Sequence, residues 1–176
     1  MLFVAVLASI AAWGVLSAVR SRAAAAAGFS GARFLWISAA PGRGPLRFTA
    51  LTRVHLASAP PTASARIYVH PRFTLWINGK PAGSGGQRPG EPAAVIPVAA
   101  LLRAGENTVA IVAESPDGVG AILFALDAGG GRPAAVSDAS WTVDPAGASI
   151  VPPGARPAAD LGPPPRYPWG SPASTR

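Results

Sequence analysis

Between Arg47 and Leu56 polarity alternates through most of the segment: Phe48, Ala50, Val54 and Leu56 are apolar, while Arg47, Thr49, Arg53 and His55 are polar. A period of two puts successive side chains on opposite faces of an extended chain, so this stretch reads as a strand with one buried and one wet face. Shorter runs of the same kind follow at 65–70, 73–77, 108–113 and 121–126, punctuated by Gly, Pro and Asn. Asn78-Gly79 directly after an apolar run signals a two-residue type I′ hairpin, because both central residues of that turn take positive φ. Gly105 and Asn107 are read as the turn that leads from a short helical turn at 98–102 into the strand near Thr108, and Trp141 as a plug at the sandwich edge. No long amphipathic helix interrupts this series. Regular short strands with turn signals between them predict an all-β, antiparallel jelly-roll β-sandwich over residues 33–143.

Three segments carry a resemblance as well as a pattern. Arg72–Gly85 (RFTLWINGKPAGSG), Leu101–Ala110 (LLRAGENTVA) and Ser137–Val143 (SDASWTV) resemble, in order and spacing, the galactose-binding-like jelly-roll modules attached to bacterial α-L-rhamnosidases and related glycosidases. The resemblance implies the fold, and through it an exported domain. It carries over no ligand set, because the family hairpin often has acidic residues just before its Arg-Phe-Thr-Leu run, where this chain has His70 and Pro71.

Two appendages flank the domain. From Leu2 to Val19 no charge interrupts eighteen residues. As a helix these reach about 27 Å, close to the roughly 30 Å of a bilayer core, so residues 1–28 read as a transmembrane anchor that contacts lipid through 2–19. The competing reading is a cleaved secretory signal with Ala23–Ala27 at its cleavage site; no Lys or Arg precedes the apolar run, which favours an uncleaved anchor. Arg20, Arg22 and Arg33 would put the following side in the cytoplasm by the positive-inside rule, whereas the family resemblance puts the domain outside. The expectation is a single-pass protein of a bacterial inner membrane with a periplasmic domain. Residues 144–176 hold nine prolines and almost no hydrophobic period, and are expected to form an extended tail with no core of its own, removable without unfolding the sandwich.

The chemistry available is sparse. There is no Cys, only eight Asp and Glu and two His, so thiolate chemistry is excluded and acid–base or metal chemistry has few candidates. The net charge of +7 divides as +2 before Arg33, +4 over 33–143 and +1 afterwards, without a basic run, which argues against nucleic acid. His55 and His70 stand apart from metal-ligand spacing, Asp138 and Ser140 fit a local turn better than a triad, and the glycines at 83–86 and 129–131 read as loops. No cofactor, metal or catalytic residue is expected. Tyr68 and Trp76 fall on outward strand positions, where they form either an exposed platform for a sugar or partner or a second buried surface. Ile150, Tyr167 and Trp169 are the candidate protein-interaction residues of the tail, since aromatic side chains give large contact area at low entropic cost.

Two functions are therefore expected: a non-enzymatic accessory or scaffold subunit that binds other subunits of a bacterial membrane complex, and, as the alternative, a membrane-tethered carbohydrate-binding module. The layout of anchor, sandwich and tail also resembles an accessory subunit of a bacterial photosynthetic reaction centre and light-harvesting complex, which implies a scaffolding role. The anchor has a direct test: the full chain is expected to stay with membranes through carbonate and high-salt washes and to leave only with detergent. Recovery in the salt wash would reject the span.

Overall fold

The computed structural model describes residues 28–40, 42–145, 155–170 and 172, and the expected anchor at 2–19 lies outside them. Among the described residues no helix is long and apolar enough to cross a membrane. The described residues form twelve strands in chain order: β1 (Phe34–Trp36), β2 (Leu46–Leu56), β3 (Ser64–His70), β4 (Arg72–Ile77), β5 (Lys80–Gly85), β6 (Ala94–Pro97), β7 (Gly105–Ser115), β8 (Ala121–Asp127), β9 (Ala135–Val136), β10 (Thr142–Asp144), β11 (Arg156–Pro157) and β12 (Ala159–Gly162). They form two antiparallel sheets, β12-β1-β8-β3-β6 with β9 also on β8, and β11-β10-β2-β7-β4-β5. The five strands expected from the sequence are all present. A single 3-10 turn at Ala99–Leu101 occupies the expected helical turn.

The pleat explains which side chains fill the space between the sheets. Phe48, Ala50, Val54 and Leu56 of β2 point inward as the alternation predicts, and meet Phe73, Leu75 and Ile77 of β4, Val109, Ile111 and Ala113 of β7, and Ile67, Ile122 and Phe124 from the facing sheet. Trp141 lies wholly buried in this core rather than at its margin, its indole N–H donating to Val136 O at 2.8 Å and its ring 5.4 Å from Phe124. That bond matters because a buried donor without an acceptor costs about 1–3 kcal/mol.

The β4–β5 hairpin turns on Asn78 (φ 51°) and Gly79 (φ 74°), with Ile77 paired to Lys80 across it. Asn78 also reaches beyond its own turn. Its amide donates to Leu101 O at 2.9 Å and to Asn107 Oδ1 at 2.8 Å, and its Oδ1 accepts from Thr108 N at 2.9 Å. Fully buried Asn107 in turn accepts from Arg103 N at 2.9 Å and donates to Arg103 O at 2.7 Å. Two asparagines read as separate turn formers thus fasten the hairpin to the start of β7.

Gly83–Gly85, expected in a loop, belong to edge strand β5. Glycine is used there for space: a Cβ on Gly83 would lie 3.0 Å from Ile96 Cδ1 and one on Gly85 would lie 3.3 Å from the Phe73 ring.

The expected boundary at residue 143 falls inside β10, and the chain beyond it adds an edge to each sheet through β11 and β12. A second apolar layer lies on the outer face of the β1-β8-β3 sheet, where Phe29, Phe34, Tyr68, Leu123 and Trp169 pack together. Residues 155–170 therefore contribute burial as well as backbone pairing, contrary to the expectation of a tail without a core. Ending the chain after Pro145 is expected to lower the unfolding free energy by more than about 3 kcal/mol, as deletion of a buried Trp alone does, whereas Tyr167→Ala should change it by less than about 0.5 kcal/mol. Chemical denaturation of the three chains checks this, and equal midpoints would reject the structural role of the tail.

Candidate functional site

Three segments meet at one end of the sandwich: residues 38–40 after β1, the turn at 118–120 between β7 and β8, and the turn at 166–170 after β12. They enclose a cleft of about 150 Å³. Its floor is aromatic. Trp36 is buried, its ring edge-on to Phe48 at 4.9 Å, and its indole N–H donates to Gly118 O at 3.1 Å, which ties the cleft to the main core.

Close backbone approach shapes the second wall. A Cβ at Gly120 would lie 2.4 Å from the Trp36 ring and 2.3 Å from His70 O, so only glycine lets β8 begin against that indole. Asp117 stiffens the same turn, accepting from Val119 N at 3.0 Å and from the Ser115 hydroxyl at 2.8 Å. These two bonds, the backbone one foremost, hold its carboxyl below the usual range.

The third wall comes from the Pro-rich stretch. Arg166 and Gly170 bond reciprocally, Arg166 N to Gly170 O at 3.1 Å and Gly170 N to Arg166 O at 2.6 Å. This closed turn separates its two aromatic residues: Tyr167 is 93% exposed and Trp169 only 7%. Trp169 sits 5.6 Å from Phe34 and also lines the cleft, yet its indole N–H is buried and meets no acceptor. Such an orphaned donor costs about 1–3 kcal/mol.

The residues singled out from the sequence are thus dispersed. Of the three interaction candidates, Tyr167 and Trp169 flank one cleft, with Trp169 turned into the chain's own apolar layer, and Ile150 lies outside the described residues. Tyr68 and Trp76 do not form one platform, because they face away from the core on opposite sheets. Tyr68 is fully buried, edge-on to Phe34 at 6.0 Å, and its hydroxyl donates to Arg88 O at 3.2 Å. Of the two readings for Tyr68, the second buried surface is the one observed. Trp76 is half-buried, opposite Ala110 on one side and Pro81 on the other.

The polar candidates act locally. His70 Nδ1 donates to Gln87 O at 2.8 Å, and Asp138 Oδ1 accepts from both Ser140 N at 2.8 Å and the Ser140 hydroxyl at 2.6 Å. Among the described residues, no three His, Asp or Glu side chains gather. A second recess, of about 300 Å³, lies against Leu51, Thr52, Arg53, Ser140 and Thr142. Among the described residues it has no aromatic wall, and Arg53 is engaged by Glu106 at 3.7 Å. Sequence reasoning missed Trp36, Ser38 and Arg166; the one available signal was the proximity of Arg166 to Tyr167 in the chain.

Burial, with the Glu91 charge second, pushes the Tyr68 phenol from 10.0 to about 12. A raised folded value means that the native state holds the proton more tightly, so this contribution is complete below the unfolded value and is lost as pH rises from about 10 to about 12. Stability is expected to fall through that window, and Tyr68→Phe should flatten the fall; an identical alkaline profile in the variant would contradict the assignment.

No family model matches the sequence, and no curated protein matches it. Solved structures do. A GH78 family rhamnosidase of Bacillus sp. GL1 has a TM-score of 0.70 and 21% identity over 80% of this chain and 19% of that one. Streptomyces avermitilis α-L-rhamnosidase complexed with L-rhamnose has a TM-score of 0.66 and 17% identity over 84% of this chain and 16% of that one. The lectin from Pleurotus ostreatus in complex with GalNAc has a TM-score of 0.65 and 21% identity over 84% of this chain and 47% of that one. At these identities the likeness is one of fold, a two-sheet β-sandwich. This chain spans under a fifth of either rhamnosidase and about half of the lectin. Nothing in these comparisons supports the resemblance to a photosynthetic accessory subunit or the partners that it implied.

Proposed function

We propose that the chain is a carbohydrate-binding module of galactose-binding-like jelly-roll fold, without catalytic activity, tethered by 2–19 with its sandwich outside the cytoplasm. The observation that carries this reading is the cleft itself: an exposed Tyr167 ring beside a floor of Trp36 and Trp169, with Ser38 and Arg166 at the rim. Sugar recognition asks for these two kinds of surface together, an aromatic face for the apolar side of a pyranose and directional donors and acceptors for its hydroxyls. Support comes also from the fold neighbours, one of which is a lectin in complex with GalNAc. Binding without turnover is supported by the lining, which among the described residues holds no carboxylate or imidazole, whereas glycoside hydrolysis ordinarily takes a pair of carboxylates.

The accessory-subunit reading keeps one observation in its favour, the exposure of Tyr167 on a turn flanked by proline, as in an anchor awaiting a partner. One paired experiment separates the two. The full chain, solubilised in a detergent without a sugar headgroup, is applied to a glycan array, and the same preparation is analysed for co-purifying proteins. Glycan binding that Tyr167→Ala reduces at least about tenfold, the loss of one aromatic hot spot, supports the module, with Trp76→Ala unchanged. An array with no bound glycan, together with a partner protein lost on Tyr167→Ala, would replace this reading with the scaffold one.

A further inference from the structure

Charge at the mouth of the cleft narrows the class of sugar. All eight acidic residues of the chain lie among the described ones. Arg33 pairs with Asp160, Arg47 with Glu114 and Arg53 with Glu106, whereas Arg166, which lines the cleft, makes no ion pair among the described residues. Its guanidinium packs over Gly162, where a Cβ would lie 3.1 Å from the nearer terminal nitrogen, so the side chain is supported by backbone rather than by an anion. The one carboxylate in the second wall's turn, Asp117, has an oxygen occupied by Ser115 and Val119 and is not part of the lining. The cleft therefore joins an exposed aromatic ring to a planar fork of donors that no described carboxylate neutralises.

Resting on the carbohydrate reading, we infer that the cleft takes an anionic pyranose, with Arg166 receiving a carboxylate or sulfate ester while Tyr167 covers the ring. A guanidinium meets either anion with two parallel N–H donors, which a neutral hydroxymethyl group cannot accept in the same way. Charge–charge attraction at an exposed rim adds little by itself, so the discrimination comes from this two-point contact held against a stacked ring.

The test titrates the full chain, in a detergent without a sugar headgroup, with trigalacturonate, its methyl-esterified neutral form and a sulfated galactose trimer. Wild type is expected to bind at least one anionic trimer about tenfold more tightly than the neutral one, and the tighter anion identifies the source. Arg166→Gln should bring all three to parity by weakening the anionic trimers about tenfold more than the neutral one, while Tyr167→Ala weakens all three. Arg132→Gln, which removes the same charge on a loop outside the cleft, should leave the preference intact. Parity in wild type with neutral binding retained would overturn this inference and leave the carbohydrate reading standing. A preference lost equally on Arg132→Gln would reduce it to net charge and also overturn it. No binding of any trimer would sink both.

Discussion

Strand β8 is apolar on both faces, and much of the architecture answers to that. Ile122, Phe124 and Leu126 fill the space between the sheets, while Ala121, Leu123 and Ala125 face the other way and are buried too. A strand of this kind is stable only when both faces are covered, which a two-layer sandwich alone does not provide. The cover on the outer face comes from the chain's own extremities, Phe29 and Ala32 before β1 and Trp169 after β12, packed around Phe34 and Tyr68. Residues 155–170 have that apolar surface to lie on, and proline lowers the entropy lost when they do so.

That covering arrangement also makes the cleft. The turn closed by Arg166 and Gly170 inserts Trp169 into the outer layer, and the same geometry directs Tyr167 into solvent and Arg166 along the rim. Burial of one aromatic fixes the presentation of the other. The opposite wall is just as firmly placed, because Trp36 spans from Phe48 in the main core to Gly118 in the turn. A cleft assembled from three loops is thus backed by two tryptophans that are part of the packed domain.

Among the described residues, the polar side chains that line the cleft are a hydroxyl, a guanidinium and a phenol, beside two indole rings. The titratable groups with resolved shifts serve the fold instead: Tyr68 is buried against Arg88 O, and Asp117 clamps its own turn. In each the shift follows from a structural duty, which is why a perturbed group near a cleft is not in itself a catalytic one.

Local signals in the sequence determined what depends on neighbours in the chain. The alternation of β2, the Asn78-Gly79 turn and the 3-10 turn at Ala99–Leu101 were legible because strand period and turn dihedrals are set within a few residues. Strands of two to four residues, such as β1, β6, β10, β11 and β12, are too short to show a period, and β5 was hidden by its glycines. The pattern also placed Tyr68 and Trp76 outward, correctly for both, but an outward position says nothing about whether a second layer covers it. Only the tertiary structure decided that Tyr68 is sealed, that Trp169 is buried while Tyr167 two residues earlier is exposed, and that Arg166 lies across a cleft from Trp36. The physical reason is range: pairing and turn preference act between adjacent residues, whereas burial is a property of whatever surface the rest of the chain brings to a residue.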